Sequence, residues 1–321
     1  MERDAATRAT KLLIENIEGV IRGKRAAVEA AVTSLLAGSH LLVEDVPGVG
    51  KTMLARSIAR SIDGSFKRIQ ATPDLLPSDI TGSSLYNEGS RSFEFIPGPL
   101  FATVVLMDEI NRTTPRTQSA LLEAMDENAV TVDGVRHPLP AAFFLIATQN
   151  PVEHHGTYPL PEGQLDRFAI AMELGYVDAA TERQIVRAQL RQHPIEELEP
   201  VVSTDDVAGI RGAVRATHVS DHVLDYVTEL ARTTREHPEL ELGASPRASI
   251  TLVRCAQARA LINGRDFVVP DDVKVFAVDA LAHRTLLKIE DMLAGAVAEK
   301  VVRESVAGVP LPQTRAQRKQ A

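Results

Sequence analysis

The feature that most restricts how this chain can fold is an apolar strand pattern, His40-Leu41-Leu42-Val43-Glu44, that runs straight into Asp45-Val46-Pro47-Gly48-Val49-Gly50-Lys51-Thr52. A helical pattern follows, with Leu54, Ile58 and Ile62 on one face. A loop of this kind between a buried strand and a helix turns its backbone N–H groups inward around a phosphate. Lys51 supplies a charge for the β- and γ-oxygens, Thr52 a hydroxyl for Mg2+, and the helix N-terminus its dipole. Asp45, Val46, Pro47, Gly48, Val49, Gly50, Lys51, Thr52 and Met53 are therefore predicted to bind the phosphates of a ligand. The pattern G-x-x-x-x-G-K-[ST] wants Gly at position 45. Asp is one of the few other residues that tolerates a left-handed backbone, and that conformation is expected there.

From residue 40 to 172, β-rich runs bounded by Gly and Pro (40–44, 66–69, 103–108, 143–148 and 169–174) alternate with helical stretches. That alternation predicts a parallel sheet with crossover helices. Leu41-Leu42-Val43 and Val104-Val105-Leu106-Met107 are continuous apolar runs, as central strands buried on both faces require. The second run ends in Asp108-Glu109, where open α/β sheets place their ligands. Asp108 is predicted to hold Mg2+ with Thr52, and Glu109 to polarise the attacking water. A third strand ends in Gln149-Asn150. Asn150 either orients that water, touches the γ-phosphate, or starts an ordinary turn before Pro151.

After Gly175 the strand-like runs stop. Val223, Tyr226, Val227 and Leu230 recur at helical spacing behind Ser220, Ser245-Pro246 opens a helix that closes near Gly264, and Pro270-Asp271-Asp272 starts another. The expected organisation is a nucleotide-binding core over residues 1–175, an all-helical lid over 176–309, and a disordered tail over 310–321. Two hairpins decorate the core. One turns at Asp133-Gly134, and the other joins Leu85–Gly89 to Phe93–Phe95, whose phenylalanines are open between substrate contact and packing.

Composition narrows the function. Lys plus Arg is 35 and Asp plus Glu is 43, a net charge of −8 that repels nucleic-acid phosphates. Aromatics are 4 % with no Trp, which leaves few platforms for stacking bases. The single cysteine, Cys255, excludes an internal disulfide framework and reads as a small buried thiol in a reducing compartment, so the cytoplasm is expected. A charged start, Met1-Glu2-Arg3-Asp4, with no long apolar run predicts neither export nor membrane insertion. His154-His155 lack the spacing of zinc ligands.

Taken together, Gly48 to Thr52, Met107-Asp108-Glu109 and Ala147-Thr148-Gln149-Asn150-Pro151 resemble the Walker A, Walker B and sensor 1 motifs of AAA+ ATPases. Asp108-Glu109-Ile110-Asn111-Arg112, Thr117 to Met125, Gly156 to Glu162, Gln164 to Phe168 and Gly243 to Ala248 resemble the MoxR family more specifically, over about residues 12–300. The resemblance implies an α/β fold: a P-loop AAA+ core with a parallel sheet, and a C-terminal helical lid. It implies ATP and Mg2+ as ligands and a homo-oligomeric ring, hexameric by expectation, whose sites are shared between neighbours. It also implies chaperone-like remodelling, assembly or metal activation of partner proteins, with a von Willebrand A-type domain protein as adaptor or client.

By the same resemblance Arg167 is the arginine finger on the neighbour's γ-phosphate. Arg247 is sensor 2, in cis or in trans. The hairpins are similar to the pre-sensor 1 hairpin and helix 2 insert, which face the ring's pore. Two other readings stand beside this one. The ATPase subunit of a metal chelatase-like complex would need a tetrapyrrole-binding partner, and the −8 charge counts against a nucleic-acid motor.

Overall fold

The computed structural model describes residues 1–150, 157–190 and 193–312. Two helices, α1 (Arg3–Val20) and α2 (Arg25–Ala37), precede the first strand, β1 (His40–Glu44). The core continues through α3 (Lys51–Ser61), β2 (Phe66–Gln70), α4 (Pro77–Thr81), the hairpin of β3 (Gly82–Asn87) and β4 (Ser92–Pro97), β5 (Val104–Asp108) and α5 (Pro115–Glu127). The hairpin of β6 (Ala129–Val132) and β7 (Val135–Pro138), then β8 (Phe144–Gln149), α6 (Glu162–Leu165) and β9 (Phe168–Met172) complete it. Beyond lie α7 (Ala179–Gln189), α8 (Thr204–Ala216), α9 (Asp221–Glu236), β10 (Leu240–Leu242), α10 (Pro246–Ile262), α11 (Pro270–Leu281), β11 (Leu286–Leu287), α12 (Ile289–Leu293) and α13 (Ala298–Gly308).

Five strands form one parallel sheet in the order β2-β5-β8-β1-β9. Placing β8 between β1 and β5 opens a crevice at the carboxyl ends, with the loop after β1 on one side and Asp108-Glu109 on the other. Side chains alternate across the strands, so each strand feeds two cores. Leu41, Val43, Leu106 and Ile146 face α1–α3, while Leu42, Val105, Met107 and Leu145 face α5. The first of these cores runs on without a break into α8–α11, so the helical region is docked on α2 and β9.

The helical region is helical as its periodicity requires: Val223, Tyr226, Val227 and Leu230 are the buried stripe of α9. Local chemistry sets its helix starts. Ser203 and Asp206 form a reciprocal capping box on α8, and Ser245 Oγ accepts from Ala248 N at 3.3 Å to cap α10. The antiparallel ribbon β10/β11 is an addition that alternation did not announce, its strands being too short to carry a period. Helix α2 was equally silent in the sequence, because a helix apolar on most sides has no distinct face. Among the described residues no helix is long and apolar enough to cross a membrane. His154-His155, Pro151, Gly156 and the tail from residue 313 lie outside the described residues.

Candidate nucleotide site

The loop after β1 owes its shape to two left-handed glycines, Gly48 (φ +89°) and Gly50 (φ +105°). A Cβ on either would meet nothing within 4 Å, so backbone conformation rather than space requires glycine. Helix α3 starts at Lys51 and aims its free N–H groups into the crevice. The ammonium of Lys51 lies back across the loop, donating to the carbonyls of Asp45 (2.6 Å) and Val46 (3.1 Å).

Asp45 departs from expectation. Its backbone is not left-handed. Its carboxylate turns away from the crevice, and Oδ1 accepts from Val46 N (2.8 Å) while Oδ2 accepts from Leu174 N (2.8 Å) and Gly175 N (2.7 Å). The residue serves the loop through its side chain rather than through a tolerated φ.

One cavity of about 340 Å³ has Pro47, Gly48, Gly50, Lys51, Thr52 and Met53 on one wall and Asp108, Glu109 and Asn150 on the other. Arg68 and Gln70 of β2 complete it, and sequence alone gave no hint of them. They reach the site because β2 pairs with β5 in a register that sets Gln70 beside Asp108. Arg68 donates to Asp108 Oδ2 from Nη2 (2.6 Å) and Nε (3.1 Å), and Gln70 Nε2 donates to Glu109 Oε2 at 3.0 Å. Arg112 Nε lies 3.1 Å from the same Glu109 oxygen.

Glu109 sits at φ +59°, ψ +49°, a left-handed conformation that costs a non-glycine residue about 1 kcal/mol or more. Fully buried Thr148 fixes it: the Glu109 N–H donates to Thr148 Oγ1 at 2.9 Å, and that hydroxyl donates to Asp108 Oδ1 at 2.6 Å. The strand end of β8 thus sets the angle between the two carboxylates. The hydroxyl of Thr52 and the carboxylate of Asp108 are hard oxygen donors in one cavity, a set that fits Mg2+, which takes few protein ligands and fills its shell with water and phosphate.

A second cavity, of about 520 Å³, shares Gly48, Gly50 and Met53 with the first. Val49 leads into it, and Val20 at the end of α1, Ile21 just beyond it, Tyr176, Val177, and Ile185 and Val186 of α7 give it apolar walls that suit the faces of a flat base. Among the described residues of α7 none is buried, so this helix is a wall with little packing behind it. No sequence motif marked these residues, which come from segments far on either side of the loop.

Arg167 and Arg247 line neither cavity. Arg167 Nε lies 2.5 Å from Asp126 Oδ2, and Arg247 pairs with Asp126 Oδ1. Both line a third cavity of about 250 Å³, which also holds His40 and Arg254 and shares no residue with the other two. The neighbouring Asp166 holds the buried Arg284 (3.1 Å) and takes a hydrogen bond from Ser245, which pins the start of α10, and so Arg247, to the loop before β9. Burial pushes His40 down to about 4. The imidazole is therefore neutral: Nδ1 accepts from Leu145 N (3.1 Å), so the proton sits on Nε2, which faces Met125 O (3.3 Å).

The two hairpin phenylalanines part company. Phe95 is half-buried, stacked on His137 of the other hairpin (3.8 Å, 18°), whereas Phe93 is 73 % exposed beside Tyr86. Cys255 is buried, and burial pushes its thiol up to about 12.

Residues 40–170 match the ATPase family associated with various cellular activities (AAA), and residues 232–304 match the AAA lid domain. The chain is 49 % identical to the uncharacterized protein YeaC of Bacillus subtilis over 94 % of both chains. It is 38 % identical to the chaperone MoxR1 of Mycobacterium tuberculosis over 94 % of this chain and 82 % of the other. The crystal structure of a candidate ATPase from Cytophaga hutchinsonii superposes with a TM-score of 0.90 at 36 % identity, covering 97 % of each chain.

Proposed function

The chain is an ATPase that belongs to the MoxR family of AAA+ proteins, and from that premise we propose that it hydrolyses ATP in a homo-oligomeric, hexameric ring to remodel, assemble or metal-activate partner proteins. The name of its Mycobacterium relative, a chaperone, supports that class of work. A von Willebrand A-type domain protein is the adaptor or client in this reading, and the cytoplasm the compartment. The nucleotide-binding core spans residues 1–175 and the lid 176–309.

Within one chain the loop from Asp45 to Met53 holds the phosphates and the apolar cavity beside it holds the base. Thr52 and Asp108 would hold Mg2+, which neutralises charge on the phosphate oxygens. Glu109 takes a proton from the attacking water, with Gln70 and Arg112 restraining its carboxylate until water is in line, and Asn150 orients that water. Arg167 and Arg247 both act in trans on the nucleotide of the next protomer. The observation that carries this reading is their joint attachment to Asp126, on a cavity separate from the chain's own nucleotide crevice.

A shared site makes turnover depend on assembly. ATPase activity per chain should rise with protein concentration as rings form, and activity independent of concentration in a monomer would overturn the reading. Glu109→Gln, whose amide cannot take up a proton, should keep nucleotide binding, lose turnover by a factor on the order of 10² or more, and hold its partner in ATP for affinity purification.

A further inference from the structure

The position where this loop carries Asp in place of the usual Gly is also where the phosphate loop is fastened to the rest of the chain. Asp45 is 6 % exposed, and each of its polar groups is engaged. Its N–H donates to Gln149 O (3.2 Å) at the end of β8, and its carbonyl accepts from Lys51. Its carboxylate accepts three backbone N–H groups, those of Val46, Leu174 and Gly175. Charge-assisted bonds of this kind are stronger than neutral ones and fix geometry.

Leu174 and Gly175 are where the chain leaves β9 for α7. Gly175 is left-handed (φ +63°), and from the other side Lys24 donates to the carbonyl of Tyr176. The segment then becomes the wall of the base cavity, Tyr176 and Val177 followed by α7, a helix with no buried residue among those described. A helix so lightly packed takes its position from its ends. Asp45 therefore touches both halves of the nucleotide crevice. Its carbonyl holds the lysine that a polyphosphate would draw away, and its carboxylate holds the bend from which the base wall hangs.

We infer that Asp45 is a positioning residue that couples phosphate occupancy of the loop to the placement of α7 over the base. The inference rests on the nucleotide reading of the crevice but adds a coupling to it. Hydrogen exchange of the full chain, with and without ADP, reads the tether directly at the Leu174 and Gly175 amides, and steady-state kinetics reads its consequence.

In the wild-type chain those amides should exchange slowly and shift with ADP. Asp45→Gly restores the common loop pattern and should still bind ADP, somewhat more weakly. Its two amides should exchange about tenfold faster, the loss expected when a charged acceptor is removed, and should no longer follow ADP. Its kcat should fall about tenfold while KM moves less. Asp45→Asn, which keeps one acceptor oxygen, should fall between the two, and it carries the test alone if Asp45→Gly fails to fold. A variant that binds ADP and keeps both the slow exchange and the shift would overturn the coupling. A wild-type chain that binds no ADP would overturn the nucleotide reading itself.

Discussion

The nucleotide crevice and the arginine face use the same kinds of groups in opposite proportions. In the crevice, two carboxylates are each held by more than one donor: Asp108 by Arg68 of β2 and Thr148 of β8, Glu109 by Gln70 of β2 and by Arg112 in the turn after β5, while the Glu109 N–H itself donates to Thr148. On the arginine face a single carboxylate, Asp126, holds two guanidiniums from residues 41 and 121 positions away. One region is nearly satisfied from within its own sheet. The other gathers two cations around one anion and keeps an excess of positive charge, since Arg254 lines the same cavity, whose second carboxylate, Asp166, is already paired with Arg284. Such a cluster is poised for an anion from outside the chain, and the contrast supports the proposed division of the catalytic unit between copies.

Breaking each half separately tests that split. Lys51→Ala should abolish nucleotide binding, because the lysine supplies the point charge on the β- and γ-oxygens, and titration calorimetry reads it. Arg167→Ala should bind ATP almost normally while turnover falls by a factor on the order of 10³ or more. Mixed with each other, the two inactive chains should regain activity, since an intact loop on one protomer can meet an intact arginine on its neighbour. Mixed rings that stay inactive, with light scattering showing that they form, would place both halves within one chain.

A smaller effect separates scaffold from brake. Asp126→Asn removes the charge that draws Arg167 and Arg247 together but keeps an oxygen that can accept. Turnover should fall about tenfold with little change in ADP affinity, the cost of one charged hydrogen-bond partner. A rise in turnover would mean that Asp126 restrains the arginines from the neighbour's phosphate instead of assembling them.

The same contrast explains what the sequence could disclose. The phosphate loop is legible because its function lies in backbone conformation, and Gly48 and Gly50 are written where φ must be positive. Asp108 and Glu109 are legible as crevice residues because a continuous apolar strand run ends on them. The left-handed turn of Glu109 is not, since it depends on Thr148 from a strand inserted between the two motifs. Arg68 and Gln70 needed the β2–β5 register, and the base cavity needed α1 and α7 brought together. At Asp45 local propensity suggests a backbone role, which the fold replaces with two long-range bonds, from the Leu174 and Gly175 amides, and one local bond from Val46. The pairing through Asp126 has no local signature, and Arg167 and Arg247 were named through family resemblance alone.

The smallest expected effect is on stability, and it should fall unevenly on the two regions. His40 lines the arginine cavity, with Met125 O on one ring nitrogen and the Leu145 N–H on the other, and Asp126 and Arg211 are the charges it feels most. Burial holds its folded value at about 4, below the 6.5 of an exposed histidine. Between those values the unfolded chain binds a proton that the folded chain refuses, so stability is full above pH 6.5 and is lost as pH falls toward 4. One pH unit below 6.5 the loss is about 1.4 kcal/mol. Protonation would also put an N–H where Nδ1 now accepts from Leu145, loosening the link that His40 makes between β8 and Met125 at the end of α5. Urea midpoints from pH 7.5 to 5 should therefore slope downward, and His40→Gln should flatten that slope by about the same 1.4 kcal/mol at pH 5.5. Hydrogen exchange at pH 5.5 should rise at the end of α5 before it rises in α3. Parallel stability curves for the two proteins, or loosening that begins in α3, would show that the arginine face is no more acid-sensitive than the crevice.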